Sequence, residues 1–503
     1  MRTSSTMDKK NLAVIASRLK CIDAISVEAE KWIDKYVKLG YDVHLVSGKF
    51  GEPVELPSFE LPEMDYKHPE VRGIKRIIFG SKLNKEGRKA AEILLNNLIK
   101  RIKGPLKNYL VQNKIQILSV EDVLSSVKNI PLSIALKQII SELGLPAISR
   151  YHYLPWENPY FTRFDNFQKL MNDIPPQVKN IVHITNTSSA RTKLSEIRKI
   201  NSKTIPNTID LDKLQKMDDF NKDFRKAFGI ADDQLIFLQP TRVKRNKCVE
   251  KSIKLIAELN DIMKKDNVLM ITGSPVYSRG NYFEEIVRKI KKLGVNVIFA
   301  NDRLFLGRHQ NPEQKFYSVH DAYLHADFVI YPNTSDAFGN PVIEAVAYKK
   351  PLIVNRFPNL DEFLGKGFRF IVMENKVTPE TVSDTYELIL DSKKREENAD
   401  HNSRLLQKFY SSDILDDNLI PILNKFDQQQ SFMSKMADLF PGSLWKKKPK
   451  PKPKKKEKFK GKKAKHKKKQ DHKKQRIDLR NRKGGYKEPV KHEDVQEKEE
   501  KRT

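Results

Sequence analysis

Short apolar runs alternate along this chain with segments whose apolar residues recur at helical spacing. Residues 11–16 (NLAVIA) predict a buried strand, whereas residues 26–39 place apolar side chains three or four positions apart, as in an amphipathic helix that ends at Gly40. A second series of the same kind begins at Gln234. Because alternating strands and helices favour parallel sheets covered by helices, the pattern predicts an α/β protein with two doubly wound domains.

The length of 503 residues also favours more than one domain, since a domain usually takes roughly 100–200 residues. We place the first domain at 1–205 and the second at 206–400, with the join near Pro206 to Asp219. Residues 401–445 are predicted to form terminal helices that pack back on the first domain. Ligands of doubly wound sheets bind at the carboxyl ends of the strands, so we expect a site in the cleft between the domains.

The net charge of +30 is unevenly distributed along the chain. Residues 446–503 hold 27 Lys and Arg against 9 Asp and Glu, which is more than half of the excess. Such a segment cannot offset its chain entropy by burial, so we expect a disordered polybasic tail. Its charge suits an anionic membrane surface. Nucleic acid is the less favoured partner because only Phe459 and Tyr486 could stack on bases, and a solvated tail without a partner is the alternative.

Cysteine content and hydropathy bear on the compartment. Cys21 and Cys248 are too few for a disulfide-rich secreted scaffold or a Cys-based zinc module, and they fit a reducing cytosol. No stretch approaches 18 apolar residues, which predicts no transmembrane helix, and the short apolar run near the N-terminus is interpreted as the first strand rather than a signal peptide. We therefore expect a cytoplasmic protein, held at the inner face of the membrane if the tail binds lipid.

The stretch from Asp327 to Val354 combines a buried strand, a polar loop and a helix. We predict that the helix begins with Asn340 as its N-cap and Pro341 as its first residue. Free amides at this point would form an anion site with the positive end of the helix. These amides belong to Phe338, Gly339 and Asn340.

Two carboxylates flank this predicted anion site. Asp336 lies in the loop and Glu344 lies one turn into the helix, so both can face one ligand. A carboxylate at Glu344 suits a ribose diol, and one at Asp336 suits sugar hydroxyls. The alternative is that Asp336 only caps the turn and Glu344 forms a surface ion pair.

A cluster of cations occupies a second junction between strand and helix, at residues 238–250. Positive side chains at the start of a helix oppose its dipole, so they are best tolerated beside an anion such as a diphosphate. The alternative is a solvated basic loop. Together with the anion site, the cluster predicts a nucleotide-diphosphate pocket in the second domain. Its members are Arg242, Lys244, Arg245 and Lys247.

These motifs resemble those of the family 4 retaining glycosyltransferases, which have the GT-B fold. Arg242 and Lys247 have the family's Arg-x4-Lys spacing, and the two carboxylates match its Glu-x7-Glu motif with Asp in first place. Residues 204–210 (TIPNTID) are similar to the family's Pro-Asn-Gly-hydrophobic-Asp strand, with Thr208 where Gly is usual. The resemblance covers residues 10–425 and implies two Rossmann-like domains facing a cleft, an N-terminal acceptor-side domain and a C-terminal nucleotide-sugar-binding domain.

The resemblance implies transfer of a hexosyl group from a nucleotide-sugar to a hydroxyl acceptor with retained configuration. Arg242 and Lys247 would neutralise the leaving diphosphate, and the amides of 338–340 would bind its distal phosphate. Asp336 would hold sugar hydroxyls and Glu344 the ribose. The donor would be a GDP- or UDP-hexose. Cationic side chains can replace a metal in such pockets, so no obligate metal ion or other cofactor is expected.

A closer resemblance is to the mannosylglucosylglycerate-synthase-like branch, carried by CIDAISVEAEKW, YHYLPWENPYF and HDAYLHADFVIYPN. It favours GDP-mannose as the donor. His152 keeps the position of the histidine nearest the reaction centre, where it would bond the donor sugar or line the acceptor cavity. The branch has Gly, Asp and Arg where this chain has Ala24, Tyr153 and Asn158, so the differences from the branch fall on the acceptor side. The acceptor-side residues that the resemblance implies are Asp23, Ser26, Tyr153, Trp156 and Glu157.

Two other functions remain open. A sugar phosphorylase on the same fold would use inorganic phosphate, but it would not need a carboxylate at Glu344 to bind a ribose. A degenerate transferase that only binds, and that carries its polybasic tail to an anionic surface, would fit the replacements at Tyr153 and Asn158. The acceptor of an active enzyme would be a sugar, a lipid-linked saccharide or a small organic molecule.

Overall fold

The computed structural model describes residues 10–21, 23–80, 84–157, 159–162, 173–276, 281–305 and 307–439. The predicted polybasic tail and Asn158 lie outside these residues. Two large parallel sheets with helices between their strands confirm the predicted α/β class with two doubly wound halves. The predicted domain limits stay a prediction.

The first sheet has seven parallel strands in the order β3-β2-β1-β4-β5-β6-β7. The strands are β1 (Asn11–Ala16), β2 (Asp42–Ser47), β3 (Ser58–Glu60), β4 (Ile117–Glu121), β5 (Ala147–Tyr151), β6 (Ile181–Thr185) and β7 (Ser202–Thr204). The chain order reverses between β1 and β4, where Ala16 pairs with Glu121. A crevice for a ligand is expected beyond the carboxyl ends of these two strands.

The helices of the first half lie between these strands in the chain. They are α1 (Ala24–Lys38), α2 (Pro69–Gly80), α3 (Lys85–Gln112), α4 (Ile130–Leu143), α5 (Pro159–Thr162) and α6 (Ser188–Arg198). Helix α1 begins two residues before the predicted start because the Asp23 carboxylate accepts hydrogen bonds from the amides of Ile25 and Ser26. It ends at Lys38 with Leu39 as its C-cap, and Gly40 follows with φ of 85°, a conformation that favours glycine.

The second sheet has six parallel strands in the order β10-β9-β8-β14-β15-β16. A small three-stranded sheet of β11, β13 and β12 lies between its elements in the chain, and the sequence analysis did not predict it because its strands have only two to four residues. The strands are β8 (Ile236–Val243), β9 (Val268–Pro275), β10 (Asn296–Phe299), β11 (Leu304–Phe305), β12 (His309–Gln310), β13 (Lys315–Ser318), β14 (Phe328–Tyr331), β15 (Leu352–Asn355) and β16 (Ile371–Met373).

The helices of the second half follow the same alternation. They are α7 (Phe224–Ala227), α8 (Val249–Met263), α9 (Tyr282–Leu293), α10 (Val319–His325), α11 (Asn340–Ala347), α12 (Leu360–Gly365), α13 (Pro379–Leu390), α14 (Ser392–Tyr410) and α15 (Ser412–Leu439). Helix α8 begins only at Val249, because a short 3-10 turn at Arg245–Lys247 precedes it and Cys248 between them has a positive φ.

The two last helices pack against different cores. Leu406 and Tyr410 of α14 belong to a buried cluster of the second half that includes Phe338. In contrast, Leu419 of α15 and its apolar neighbours one turn away share a buried cluster with Trp32 of α1 and with strand β1. Burial of these apolar faces holds both helices on the body of the molecule. No helix among the described residues combines the length and apolar character needed to cross a membrane.

Candidate active site

A contact between the two halves of the molecule shows where the candidate site lies. The Asn340 side-chain amide, at the start of α11, donates a hydrogen bond to the Glu28 carboxylate of α1 at 3.1 Å. Its oxygen accepts a bond of 2.8 Å from Asn207, in the segment that joins the two halves. The carbonyl of Thr208 in the same segment accepts a bond from Lys31, which also pairs with Glu28. The carboxyl ends of both sheets therefore meet around Asn340.

The start of α11 differs by one residue from the prediction. Gly339, not Asn340, is the N-cap, and Asn340 and Pro341 are the first two helical residues. The fold requires glycine at this N-cap because its φ is 99°, and because a Cβ on Gly339 would lie 2.9 Å from the Phe357 ring. The Asn340 side chain does not cap the helix, so it is available to bridge the halves. Within the described chain, neither the Gly339 nor the Asn340 amide bonds a backbone carbonyl outside the helix.

Asp336 and Lys247 lie in direct contact, although 89 residues separate them. The Lys247 ammonium donates to Asp336 Oδ2 at 3.1 Å, and each side chain is 20% exposed. The same oxygen accepts a 2.6 Å bond from the hydroxyl of buried Tyr331, whose pKa burial and this carboxylate raise. The Phe338 amide reaches Asp336 Oδ1 only at 3.5 Å, so turn capping is a minor part of its bonding. The ring of Phe338 itself is buried in the core.

Arg242 is exposed at the end of β8, where the register with β9 is irregular. Gly273 lies opposite, and a Cβ there would come within 2.8 Å of the Arg242 backbone, so this close approach requires glycine. Arg242 has no hydrogen-bond or ion-pair partner among the described residues. Arg245, by contrast, pairs with Glu285 at 2.9 Å. Arg242 is therefore a cation available to a ligand, whereas Arg245 is already neutralised.

Glu344 does not form the surface ion pair of the alternative interpretation. Its Oε2 accepts a 2.7 Å hydrogen bond from the hydroxyl of Tyr323, a residue with no exposed surface. Burial, followed by the charge of Glu344, raises the pKa of that hydroxyl well above its ordinary value, so Tyr323 stays a donor. This bond thus fixes one oxygen of the Glu344 carboxylate, and the other oxygen can accept a hydrogen bond from a ligand.

His152 is buried at the end of β5 and is held on two sides. Its Nε2 lies 3.2 Å from Glu121 Oε2, and its backbone amide donates to Asp122 Oδ1 at 3.2 Å. Burial alone would raise the pKa of Glu121, but the charge of Arg150 and the bond from His152 hold it below its ordinary value. Glu121 is therefore ionised and fixes the orientation of the imidazole ring.

A row of buried charges connects His152 with the contact between the halves. Arg150 lies 3.5 Å from Glu121 and 3.7 Å from Glu28, and its guanidinium stacks 4.4 Å from the centre of the Trp32 ring. Glu121, Arg150 and Glu28 are each at most 4% exposed. None of the three was predicted from the sequence, although one charged residue in each of the buried strands ILSVE and AISRY was a signal that could have identified Glu121 and Arg150.

Tyr153 lies near Asp336 and Arg242 of the second half rather than in the core. It is 44% exposed, and its amide donates to Asp122 at 3.1 Å. Partial desolvation in the cleft, and then the carboxylates of Asp336 and Asp122, raise the pKa of its hydroxyl, whereas Arg242 lowers it. Tyr153 of the first half and Asp336 of the second thus share one electrostatic environment. The replacement of the branch's Asp by Tyr153 falls at the centre of the cleft.

The other predicted acceptor-side residues are distributed differently. Asp23 caps α1 and accepts from the Ser26 hydroxyl, so both shape the loop after β1. Asp23 also lines a small pocket at the ends of β1 and β4, together with Glu121 and Asp122. Trp156 packs against the core of the first half, and Glu157 accepts the Leu154 amide at 3.0 Å, so these two residues support the loop.

The described part of the chain has no group of three His, Cys, Asp or Glu side chains arranged to hold a metal ion. The charges that converge on the cleft are instead one available guanidinium, one lysine paired with a carboxylate, and the amides at the start of α11. Such a set can bind an anion and several hydroxyl groups at once.

Known proteins resemble this chain in sequence and in fold. Residues 220–406 match the family described as Glycosyl transferases group 1. The mannosylglucosylglycerate synthase of Thermotoga maritima is 23% identical over 438 residues, which cover 81% of this chain and 98% of that protein. Among solved structures, the sucrose-phosphate synthase of Thermosynechococcus elongatus has a TM-score of 0.58 at 12% identity, over 85% of this chain and 100% of that one. HepE from Anabaena in complex with UDP has a TM-score of 0.56 at 13% identity, over 84% and 99%.

Proposed function

We propose that this chain, a glycosyltransferase of the GT-B fold with a glycosyl transferases group 1 domain at residues 220–406, transfers a hexosyl group from a nucleotide diphosphate sugar to a hydroxyl acceptor with retained configuration. The observation that carries the proposal is the contact between Lys247 and Asp336 below the start of α11. It joins a phosphate-binding cation to a sugar-binding carboxylate at one point.

The donor would be held by groups near the carboxyl ends of β8 and β14 in the second half. Arg242 and Lys247 would neutralise the leaving diphosphate, and the amides at the start of α11 would bind its distal phosphate. Once the phosphate draws Lys247 away, Asp336 is free to accept hydroxyls of the sugar. Glu344, oriented by Tyr323, would accept the ribose hydroxyls.

Stabilisation of the departing diphosphate is the main chemical task of this site. As the bond to the leaving phosphate lengthens, positive charge develops on the sugar and negative charge on the diphosphate. Fixed cations and amides favour that separation without reorganising, and the cleft holds the acceptor hydroxyl close to the sugar. His152, oriented by Glu121, would bond the donor sugar from the opposite side of the cleft.

The identity of the donor rests on the relatives. A solved structure similar in fold holds UDP, whereas the similarity to a mannosylglucosylglycerate synthase favours a mannosyl group and hence GDP-mannose. We propose GDP-mannose first and UDP-glucose second. The acceptor is proposed to be a sugar or small organic hydroxyl compound, with a lipid-linked saccharide as the alternative.

The polybasic tail is proposed to bring the enzyme to an anionic membrane surface. Residues 446–503 carry 27 basic side chains, and each lysine near such a surface contributes about 1 kcal/mol. This proposal places the protein in the cytoplasm, peripheral to the membrane, with nucleic acid as the competing polyanion.

Release of free nucleotide diphosphate tests the proposed function directly. The full chain is incubated with GDP-mannose, GDP-glucose, UDP-glucose or UDP-galactose, with and without sugar acceptors. We expect slow release to water from one donor and faster release with an acceptor. Nucleotide binding without any release would favour the degenerate binding protein, and sugar phosphate formed from a glycoside and inorganic phosphate would favour the phosphorylase.

A further inference from the structure

Tyr331, the last residue of β14, donates the shortest hydrogen bond that the Asp336 carboxylate accepts among the described residues. This bond to Oδ2 is 2.6 Å long, whereas the Lys247 ammonium and the Asn333 amide reach the same oxygen at 3.1 and 3.4 Å. Tyr331 is only 1% exposed. Because a hydrogen bond to a charged acceptor is stronger than one between neutral groups, this buried hydroxyl strongly constrains the position of the carboxylate.

Packing fixes the direction of the Tyr331 hydroxyl. The Tyr331 and Phe357 rings meet edge to face, with their centres 5.9 Å apart. Phe357 is also the ring that leaves no room for a Cβ on Gly339 at the start of α11. The Lys247 ammonium lies 5.8 Å from the centre of the Tyr331 ring. The same buried rings therefore determine both the start of the helix and the place of the hydroxyl that holds Asp336.

The two oxygens of Asp336 are used unequally. Oδ2 accepts the bonds from Tyr331, Lys247 and Asn333, whereas Oδ1 accepts only the long bond of 3.5 Å from the Phe338 amide. The side chain of Asp336 is 20% exposed. A carboxylate that is held through Oδ2 and keeps contact with solvent can accept a further hydrogen bond at Oδ1.

Binding of a donor would change which groups hold Asp336. In the proposed function the diphosphate draws Lys247 away, so Tyr331 becomes the strongest donor that remains on Oδ2. Burial, followed by the charge of Asp336, raises the pKa of Tyr331 well above its ordinary value, and the hydroxyl therefore keeps the proton that it donates. Without this hydroxyl, Asp336 would be held mainly by the same lysine that the diphosphate requires.

The second carboxylate of the donor site has a tyrosine of its own. Glu344 Oε2 accepts a bond of 2.7 Å from Tyr323, which has no exposed surface. Tyr331 and Tyr323 both belong to the buried cluster of the second half. Each proposed ligand carboxylate is thus oriented through one oxygen by a different buried hydroxyl, so the two contributions can be separated by experiment.

We propose that Tyr331 is a positioning residue for the donor sugar: its hydroxyl holds Asp336 Oδ2 once Lys247 has moved to the diphosphate, so that Oδ1 accepts a hydrogen bond from a sugar hydroxyl. The proposal rests on the proposed function, because it requires a sugar nucleotide in the site. Its consequence is specific. Loss of the Tyr331 hydroxyl should affect the transfer of the sugar and not the binding of the nucleotide.

Tyr331→Phe tests this consequence, because it removes the hydroxyl and keeps the ring that packs on Phe357. With the full chain and its best donor, we expect kcat for nucleotide release to fall about 10- to 100-fold. The Kd of the free nucleotide diphosphate, measured by calorimetric titration, should change by no more than about threefold, and this titration also shows that the variant is folded. Tyr323→Phe should show the opposite division, with a weaker nucleotide and a smaller change in kcat.

Tyr317→Phe is the matched control. Tyr317 is also buried in the second half, and its hydroxyl also bonds a carboxylate, that of Asp223 at 2.9 Å, which has no place in the proposed donor site. Its kcat and nucleotide Kd are expected to stay within about threefold of the parent. An equal loss of kcat in Tyr317→Phe and Tyr331→Phe would overturn the proposal, since any lost buried hydroxyl would then have the same effect.

The double variant of Tyr331→Phe and Asp336→Ala shows whether Tyr331 acts through Asp336. If it does, adding Tyr331→Phe to Asp336→Ala lowers the residual rate by no more than about threefold, because residues that act as a unit are not additive. Losses that multiply would overturn the positioning role. A parent protein that releases no nucleotide from any donor would overturn the proposed function and this role together, whereas an active parent with an unchanged kcat in Tyr331→Phe would overturn this role alone.

Discussion

Asn340 donates a hydrogen bond to Glu28 at 3.1 Å although 312 residues separate them in the chain. Asn340 belongs to the helix whose start is proposed to bind the donor phosphates, and Glu28 begins the row of charges that ends at His152. The bond therefore connects the half that is proposed to bind the donor with the half that is proposed to hold the acceptor, and its Glu28 end is almost completely buried.

Asn340→Ala is expected to loosen this connection. The change removes the bonds to Glu28 and Asn207, which together contribute about 1–3 kcal/mol, and it leaves the helix start at Gly339 intact. We predict a lower unfolding temperature and a higher KM for the donor. Asn418→Ala, which removes a bond to a carbonyl one turn away in α15, serves as the control. Equal kinetics of the two variants would show that the bond does not position the site.

Arg242→Ala and Lys247→Ala should each slow nucleotide release about 30- to 1000-fold. Loss of one charge-assisted contact to a leaving diphosphate costs roughly 2–4 kcal/mol in the transition state. Arg245→Ala is the control from the same loop, because Arg245 is paired with Glu285 and should change the rate less than threefold. Steady-state kinetics with the best donor checks the prediction. A similar loss of rate in all three variants would indicate that the overall positive potential of the loop matters, rather than specific contacts with the phosphates.

Glu344→Gln is expected to raise the KM for the donor about 5- to 30-fold with a smaller effect on kcat. The amide keeps the size of the side chain but loses the charge that accepts the ribose hydroxyls, worth about 1–2 kcal/mol. Titration of the nucleotide diphosphate alone measures the same contact. Tyr323→Phe, which removes the hydroxyl that orients Glu344, should reproduce part of the effect. Unchanged nucleotide affinity in both variants would remove Glu344 from the donor site.

Stability should decrease in mild acid because of His183. This side chain is 7% exposed, and burial lowers its pKa from 6.5 to about 4. Above pH 6.5 this imidazole is neutral in both the folded and the unfolded chain, so His183 then takes nothing from the free energy of unfolding. As the pH falls towards 4, the unfolded chain takes up the proton and the folded chain does not, so the free energy of unfolding drops by up to about 3 kcal/mol. Urea unfolding between pH 7 and 4 measures this slope.

The slope should be smaller in His183→Gln, which can still accept a bond from Tyr151. His320→Gln, at an exposed position, is the control and should keep the parental slope. If His183→Gln also kept it, the acid sensitivity would come from other groups.

Deletion of residues 446–503 should leave transfer to small acceptors and the unfolding temperature nearly unchanged, since a segment of this composition contributes no packed core. Binding to anionic vesicles should be lost. In the full chain that binding should weaken steeply as the salt concentration rises, because the interaction is electrostatic. Sedimentation with anionic vesicles, compared with neutral vesicles, checks this. Persistent vesicle binding by the truncated chain would contradict the proposal.

Much of the fold could be predicted from the sequence, because local periodicity decides it. Strand β1 and helix α1 follow from the spacing of apolar residues in 11–16 and 26–39. The ends of β8 and β14 are likewise visible where apolar runs stop, so a ligand site near Arg242 and Asp336 could be predicted from the sequence. Local chemistry accounts for these features, and it acts over a few residues.

Only the tertiary structure decided which charges meet. Glu28, Glu121 and Arg150 come from three distant segments, and their burial is tolerated because packing brings opposite charges within 4 Å. The start of α11 at Gly339 also depends on the fold, since the Phe357 ring leaves no room for a Cβ. Asp122 is the same kind of case: the sequence shows only an acid after a strand, and the packing around it leaves one oxygen buried without a donor. Desolvation and long-range contacts arise only when the chain has folded.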